Sequence, residues 1–342
     1  MRRFRPRWVW VSFLLLGFCV VSLELFARFG LGLGTPPLSV THPTIEYMFA
    51  PDQDVHRFHN HIKTNSAGMR SDDVPAVKGD PSEFRVLVLG DSVVNGGSLT
   101  DHEQLATTIL QKRLREEMQR PVWVGNASAG SWGPQNLLAW VDAYGFYDAD
   151  VVVLEVAAHD IADFPEFSSL SPLTHPQEQP FSATAEGFQR YFMRRVRRYF
   201  QGTPAAGEVN VERHHGEAAV EALKGEQAFL AFNELLRRVG ASGARAIVLY
   251  HPERDERPDG ENAPARHAFE AAAAEHGAGF LMTVPFAAEV SSTERREFRD
   301  PIHLSVEGQL EVAEVLQQAI LPIAQLSKAA GSAEASSPQR SH

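Results

Sequence analysis

Two apolar runs constrain the fold of this 342-residue chain more than any other feature of its sequence. Residues 85–89 (RVLVL) and 150–156 (DVVVLEV) have the length and the β-branched content of buried strands. The second run is apolar over nearly its whole length, which is typical of a strand buried on both faces of a parallel sheet. These two segments therefore predict the centre of an α/β fold.

Strand and helix patterns alternate along the rest of the chain. Further strands are predicted at residues 121–125, 244–250 and 279–282. Helices are predicted at residues 103–119, 135–144, 217–239, 263–276 and 305–323. Strands separated by helices imply right-handed β-α-β crossovers, so we expect one doubly wound sheet of five parallel strands between two layers of helices.

The N-terminal residues predict a membrane anchor. Arg2, Arg3, Arg5 and Arg7 precede an apolar stretch that begins at Trp8 and extends for about 20 residues, enough for a transmembrane helix. Arginines on the leading side predict a cytoplasmic N-terminus and translocation of the remainder into the periplasm or its equivalent. The alternative is a cleaved signal peptide, which requires a shorter apolar core and a small-x-small cleavage site; residues 30–34 are the nearest candidate. We favour an uncleaved anchor.

The remaining segments follow from composition. We assign 1–29 to the arginines and the anchor, 30–79 to a membrane-proximal segment without regular periodicity, 80–326 to the main domain and 327–342 to a disordered Ala- and Ser-rich tail. Within the domain, 163–216 form an insertion that could act as a lid. The formal net charge of −11 argues against a nucleic-acid partner, and the single cysteine excludes an intramolecular disulfide.

Within the insertion, residues 188–200 have a helical pattern that combines aromatic residues with five arginines. Such a basic face could lie against an anionic lipid surface. We favour the alternative, in which the arginines are exposed to solvent over an aromatic side.

The strand at 85–89 leads directly into Gly90, Asp91 and Ser92. This order places a hydroxyl at the carboxyl edge of the sheet, where open α/β sheets bind their ligands. An ordinary turn, in which Asp91 or Ser92 caps the next helix, is the alternative. If Ser92 is a nucleophile it needs a base, and Asp300 and His303 precede the last predicted helix at a spacing that lets both face one point.

Two more segments follow strands at the same edge. Small residues run from Gly125 to Gly133, and their backbone amides could approach an oxyanion closely. After the strand at 150–156, His159 supplies a side-chain donor. Ser92, Gly130 or Ser131, His159 and His303 therefore all belong to one predicted edge. The clustered His56, His59 and His61 lack further ligands nearby, so we predict no metal site and no cofactor.

These four segments, in this order, resemble the four blocks of the SGNH, or GDSL-type, hydrolase family over about residues 85–326. The resemblance implies a three-layer, flavodoxin-like fold and acyl-ester chemistry. It implies a catalytic triad of Ser92, His303 and Asp300, and oxyanion donors from Ser92, Gly130 or Ser131, and His159. Residues 62–70 are also similar to the segment that precedes the first block in membrane-anchored bacterial members.

Two residues depart from the family pattern. Ser131 stands where the family has its oxyanion glycine, which a backbone donor tolerates if the dihedral angles permit. His159 stands where the family has asparagine. A neutral imidazole can still donate one hydrogen bond, and we expect its charge to change near neutral pH.

The sequence thus predicts a membrane-anchored serine esterase that cleaves O-acyl esters, such as those of an acylated carbohydrate. One alternative is an O-acyltransferase acting on envelope carbohydrate, and another is a binding or assembly protein with an impaired site. Candidate substrate-binding residues are Trp132, Asp160 and Phe164, together with Phe167, although core positions are an equal alternative for the aromatic ones.

Overall fold

In the computed structural model, which describes residues 6–193, 195–196, 215–286 and 295–335, the chain begins with a long apolar helix. Helix α1, Pro6–Leu25, continues into one turn of π-helix, Phe26–Gly30. The stretch Trp8–Gly30 has a mean hydropathy of 2.2, and it is long and apolar enough to cross a membrane. A helix of this length and composition, near an N-terminus, can be a membrane span or a signal sequence.

Two antiparallel hairpins follow the apolar helix. Strand β1, Ser39–His42, pairs with β2, Glu46–Phe49, and strand β3, Asp54–Arg57, pairs with β4, Asn60–Lys63. The sequence analysis expected no regular structure in residues 30–79, and this expectation was wrong. Strands of four residues carry too little periodicity to detect, and the β3–β4 turn has φ of 50° at Phe58 and 67° at His59, where glycine or asparagine is the usual signal.

The central sheet has five parallel strands. They are β5, Phe84–Gly90; β6, Val122–Ser128; β7, Val151–Ala157; β8, Arg245–His251; and β9, Gly279–Met282. Their order, β6-β5-β7-β8-β9, is the doubly wound flavodoxin-like order 2-1-3-4-5. The predicted fold class and the five strands are confirmed. Every residue of β7 is buried, as its apolar run predicted, and so is every residue of β5 and β6.

Helices cover both faces of the sheet. The helices after α1 are α2, Ser92–Asn95; α3, Ala106–Met118; α4, Pro134–Tyr144; α5, Ala183–Gly187; α6, His215–Ser242; α7, Ala263–Glu275; and α8, Val306–Ala335; of these, α5 packs against the end of α1 rather than on the sheet. Helices α4, α6 and α7 pack on one face through apolar residues such as Trp140, Phe232 and Phe269. Helices α3 and α8 pack on the other through residues such as Leu114 and Leu316. The result is the expected three-layer arrangement.

The C-terminal helix is longer than predicted. Helix α8 extends to Ala335, into the segment 327–342 that was predicted to be disordered, so that prediction is wrong as far as Ala335. The many alanines of this segment favour a helix. Residues 336–342 lie outside the described part of the chain, as do 197–214 of the insertion and the arginines at 2, 3 and 5.

Arg70 connects the membrane-proximal segment to the loop that follows β5. Its side chain is buried, and its guanidinium donates hydrogen bonds to the backbone oxygens of Asn95 at 2.6 Å, Gly97 at 2.9 Å and Thr100 at 3.2 Å. Burial lowers the pKa of Arg70 to about 10, which leaves the guanidinium charged at neutral pH. The segment 62–70 therefore acts as a brace for the residues that follow Ser92.

We expect Arg70→Ala to destabilise the protein by about 3–5 kcal/mol, because buried carbonyls of this loop would lose their donor. The matched control is Arg113→Ala, since Arg113 makes a partly exposed ion pair of 3.7 Å with Glu314 that should contribute less than about 1 kcal/mol. Urea denaturation of the detergent-solubilised chain, followed by tryptophan fluorescence, measures both. Equal losses in the two variants would contradict the bracing role.

Candidate active site

The turn after β5 places the Ser92 hydroxyl at the carboxyl edge of the sheet. Asp91 caps the short helix α2, because its Oδ1 accepts the N–H of Val93 at 2.7 Å. The backbone approaches its neighbours so closely at Gly90 that a Cβ there would lie 2.6 Å from Glu155 Oε2. Both interpretations of this turn are therefore realised together: Asp91 is the cap, and Ser92 lies at the carboxyl edge of the sheet.

His303 and Asp300 meet Ser92 at this edge. His303 Nε2 lies 3.0 Å from Ser92 Oγ, and its Nδ1 lies 2.9 Å and 3.0 Å from the two carboxylate oxygens of Asp300. Burial alone would raise the pKa of Asp300, but hydrogen bonds from the N–H groups of His303 and Ile302 and from the His303 ring lower it below its usual value. An ionised Asp300 holds the proton on Nδ1, so Nε2 faces the hydroxyl as an acceptor.

The loop that carries Asp300 and His303 is held by β8 and the residues after it. The buried His251 ring places Nε2 2.6 Å from the oxygen of Ile302 and Nδ1 2.7 Å from Thr283 Oγ1. Because a carbonyl oxygen only accepts, Nε2 carries the proton and Nδ1 accepts from the threonine. Burial lowers the pKa of His251 to about 4, which keeps it neutral. The sequence analysis did not single out His251, although its place directly after a predicted strand was a usable signal.

The small-residue segment after β6 contains the first departure from the family pattern. Ser131 has φ of 51°, in the left-handed region that favours glycine. A non-glycine residue there costs about 1–2 kcal/mol, so the rest of this segment must hold the conformation. The Tyr47 hydroxyl donates to the oxygen of Gly130, and the Asn95 side chain donates to the oxygen of Ser128 at 2.9 Å.

His159, the second departure, lies among carboxyl groups. Its Nε2 is 3.3 Å from Asp91 Oδ2 and 3.6 Å from Asp160 Oδ1, and its Nδ1 is 3.8 Å from Glu253 Oε1. Burial opposes a charge on the ring, but Asp91, Glu253 and Asp160 outweigh it and raise the pKa of His159 to about 12. The expectation of a charge change near neutral pH is therefore wrong, because the surrounding carboxylates keep this imidazole protonated.

The carboxyl groups under the site differ in the direction of their pKa shifts. Burial raises the pKa of Asp91, but His159 and the Val93 N–H outweigh it, and the net pKa lies below the usual value. Burial, together with the charge of Asp91, raises the pKa values of Glu155 and Asp160 well above theirs. The site therefore holds the imidazolium of His159 against the carboxylate of Asp91, beside two carboxyl groups whose ionisation is disfavoured.

Among the described residues, Asp91, His159 and Asp160 also form a group that could hold a metal ion, since their ligand atoms lie within 4.8 Å of one another. The ion pair between His159 and Asp91 already uses two of these ligands. A cation would have to displace the His159 proton and break this pair.

The predicted substrate-binding residues occupy different environments. Trp132 belongs to the core: it is 2% exposed, and its Nε1 donates to the oxygen of Tyr47, so the structure favours the core alternative over a substrate-binding position. Asp160 is also buried, with Oδ2 accepting the N–H of Ala157 at 2.7 Å, and contacts His159 rather than open space. Phe164 lines a cavity of about 370 Å³ together with Ser131. Phe167 is 52% exposed.

The start of the insertion packs directly against the small-residue segment 125–133. A Cβ at Gly133 would lie 2.2 Å from the oxygen of Asp163, so only glycine permits this approach. The cavity beside Ser131 is also lined by Tyr47, by Lys224 and by insertion residues such as Leu170 and His175.

No protein-family model and no curated protein matches the sequence. Among solved structures, the chain is similar to TesA at 18% identity and a TM-score of 0.44, over 70% of this chain and 99% of that one. It is similar to an acetylxylan esterase from Geobacillus stearothermophilus at 12% and 0.42, over 70% and 94%. It is also similar to a GDSL-like lipase from Bacteroides thetaiotaomicron at 11% and 0.39, over 69% and 87%.

Esterases and a GDSL-like lipase are thus among the structures that this chain is similar to. Likenesses of this degree say nothing about the reaction of this chain. Its chemistry follows from the geometry of Ser92, His303, Asp300 and His159.

The pKa shifts predict opposite behaviour for the two histidines of the site. Between pH 6 and pH 9, His159 should stay protonated, because its pKa is raised, and His251 should stay neutral, because its pKa is lowered. Nitrogen-15 NMR of histidine-labelled protein measures this directly, with His159→Gln and His251→Gln as assignment controls. A His159 signal that titrates near pH 6.5 would contradict the ion-pair arrangement.

Proposed function

We propose that this chain is a serine esterase of the SGNH type that cleaves O-acyl esters. The observation that carries the proposal is the unbroken contact from Ser92 Oγ to His303 Nε2, at 3.0 Å, and from His303 Nδ1 to Asp300, at 2.9 Å. A hydroxyl, a base and a carboxylate that orients the base are the minimum for nucleophilic acyl transfer.

The reaction follows from this geometry. Ser92 Oγ attacks the ester carbonyl while its proton passes to His303 Nε2. The tetrahedral intermediate collapses, the acyl–oxygen bond of the ester breaks, and His303 returns the proton to the leaving alcohol. Water then attacks the acyl-serine with His303 again acting as the base, and this releases the carboxylic acid and restores Ser92. Asp300 stays ionised and stabilises the imidazolium that forms twice in each cycle.

The oxyanion needs donors, and we assign them to the N–H groups of Ser92 and of Gly130 or Ser131, and to the ring of His159. Each such donor contributes on the order of 3 kcal/mol to the transition state. A protonated His159 can give one N–H to Asp91 and still present a positive charge to the developing oxyanion. This charge would replace the neutral asparagine donor that the family pattern contains, so the substitution is compatible with activity.

The proposed location is the outer side of the cytoplasmic membrane. The apolar helix α1 and the arginines ahead of it support an anchor with a cytoplasmic N-terminus. The substrate is then an ester of the cell envelope or the periplasm, and an acylated carbohydrate fits this location. A binding or assembly protein with an impaired site, the main alternative, would not need three reactive groups within hydrogen-bond distance.

The first test is Ser92→Ala in the full-length chain in detergent. The variant should lose p-nitrophenyl acetate turnover and covalent labelling by a fluorophosphonate, in which Oγ forms a bond to phosphorus and fluoride leaves. Ser98→Ala, a change six residues along the same loop, should retain both. Equal labelling of the two variants would remove Ser92 from the reaction.

The second test separates the roles of His159. His159→Ala should lower kcat by about 10²–10³-fold, because one oxyanion donor is lost. His159→Asn, which places the family's residue there, should lose less than His159→Ala. His267→Ala, at an exposed position on α7, is the control and should keep the wild-type kcat. Unchanged kcat in His159→Ala would show that this ring does not contact the oxyanion.

A further inference from the structure

The insertion is tied to the end of the apolar helix by a charged side chain inside that helix. Glu24, which interrupts the apolar run, accepts hydrogen bonds from the N–H of Ala183 at 2.8 Å, the N–H of Thr184 at 3.0 Å and the hydroxyl of Ser182 at 2.8 Å. These are the first groups of helix α5, whose N–H donors have no partner within the helix. A residue of α1 therefore caps a helix more than 150 positions later in the chain.

Arg28 strengthens the same junction. Its Nε lies 2.7 Å from Glu24 Oε1, and its Nη2 donates to the oxygen of Phe181 at 2.9 Å. Phe181 is thus fixed beside the last turn of the apolar stretch. The insertion therefore contacts the C-terminal end of the apolar stretch, where a membrane-spanning helix would emerge from the hydrocarbon core of the bilayer.

A buried ion pair fixes the other side of α5. Arg57, in strand β3, lies 2.7 Å from Glu186, and both side chains are at most 3% exposed. Glu186 also accepts the N–H of Gly34 at 2.7 Å and lies 3.0 Å from Arg190. Because Arg190 turns inward to Glu186 and to the oxygen of Leu173, it is not part of an outward basic face. Helix α5 of the insertion is therefore held between the hairpin β3–β4 and the end of α1.

Large aromatic side chains around helix α5 and the end of α1 are exposed. Phe181 is 99% exposed, Phe188 52% and Phe192 56%, and the rings of Phe188 and Phe192 stack at 5.2 Å. Phe26 and Phe29, in the π-helical turn, are 58% and 78% exposed. We call these five phenylalanines the aromatic patch. Exposed apolar groups of this size mark a contact with a partner or a membrane.

We propose that the aromatic patch lies in the interfacial layer of the same bilayer that holds α1, so that the insertion is a second membrane contact of this chain. A bilayer is favoured over another partner because the aromatic patch is continuous with the candidate membrane span. Phe26 and Phe29 belong to the apolar stretch Trp8–Gly30 itself, and the oxygen of Phe181 accepts a hydrogen bond from Arg28 of the same stretch. Aromatic side chains favour the interface between hydrocarbon and water. The site domain is then held at the membrane surface in one orientation, and the contact depends on aromatic rings rather than on the arginines considered above.

Depth measurements on the full-length chain in lipid nanodiscs test this proposal. In a Cys19→Ser background, a nitroxide is attached at Phe181→Cys or, as the control, at Val77→Cys, which is 69% exposed in the loop ahead of β5 at the opposite edge of the sheet. The ratio of oxygen to nickel-complex accessibility should be several-fold higher at position 181 than at position 77. Equal ratios at the two positions would overturn the proposal, and strong spin–spin broadening at position 181 would instead indicate a second copy of the chain.

A second variant excludes a folding artefact. Phe188→Ser with Phe192→Ser removes exposed rings that are not needed for the core, so the urea midpoint should stay that of the wild type. The accessibility ratio at position 181 should then fall toward that at position 77, because the segment loses contact with lipid. If the accessibility ratio at position 181 were unchanged in the double variant, α1 alone would account for the depth of this position. The proposed contact of the insertion with the membrane would then be overturned.

Discussion

The parallel register of the five strands is the constraint on which the site depends. Because all five strands point the same way, the loops that follow them meet at one edge of the sheet. Ser92 follows β5, the segment of Gly130 and Ser131 follows β6, and His159 follows β7. His251, the last residue of β8, holds the loop of Asp300 and His303 through the oxygen of Ile302, and Thr283, which follows β9, is hydrogen-bonded to His251. The strands β5, β6 and β7 thus lead into the candidate site residues, and β8 positions the loop that carries Asp300 and His303.

The buried charges beneath this edge explain how a histidine can stand where an asparagine is expected. A lone protonated imidazole at a partly buried position would be costly. Here Asp91 provides a carboxylate at 3.3 Å, while the pKa values of Glu155 and Asp160 are raised because burial and the charge of Asp91 disfavour further negative charge in the same volume. The cap of α2, the charge of His159 and the protonation of its neighbours therefore form one linked system, in which changing one group changes the others.

The insertion connects this edge to the apolar helix. Its first residues pack against Gly133 in the small-residue segment after β6, and its helix α5 is capped by Glu24 at the end of α1. The described part of the insertion therefore contacts both the edge of the sheet that carries Ser92 and the end of the apolar helix. The buried pair of Arg57 and Glu186, two residues that are 129 positions apart, holds α5 against the hairpin β3–β4.

The sequence by itself determined the sheet, its five strands and the four segments at its edge, because buried strands and glycine-rich turns leave strong local patterns. It could not find the two hairpins of residues 30–79, since strands of four residues carry little periodicity. It also could not decide between the core and a substrate-binding position for Trp132, because an aromatic residue beside a site has the same local pattern in both. Only the tertiary structure decided the charge of His159, the support from His251 and the contact of Glu24 with α5. Each of these depends on groups that are far apart in the chain, and pKa values and hydrogen bonds follow distances in space.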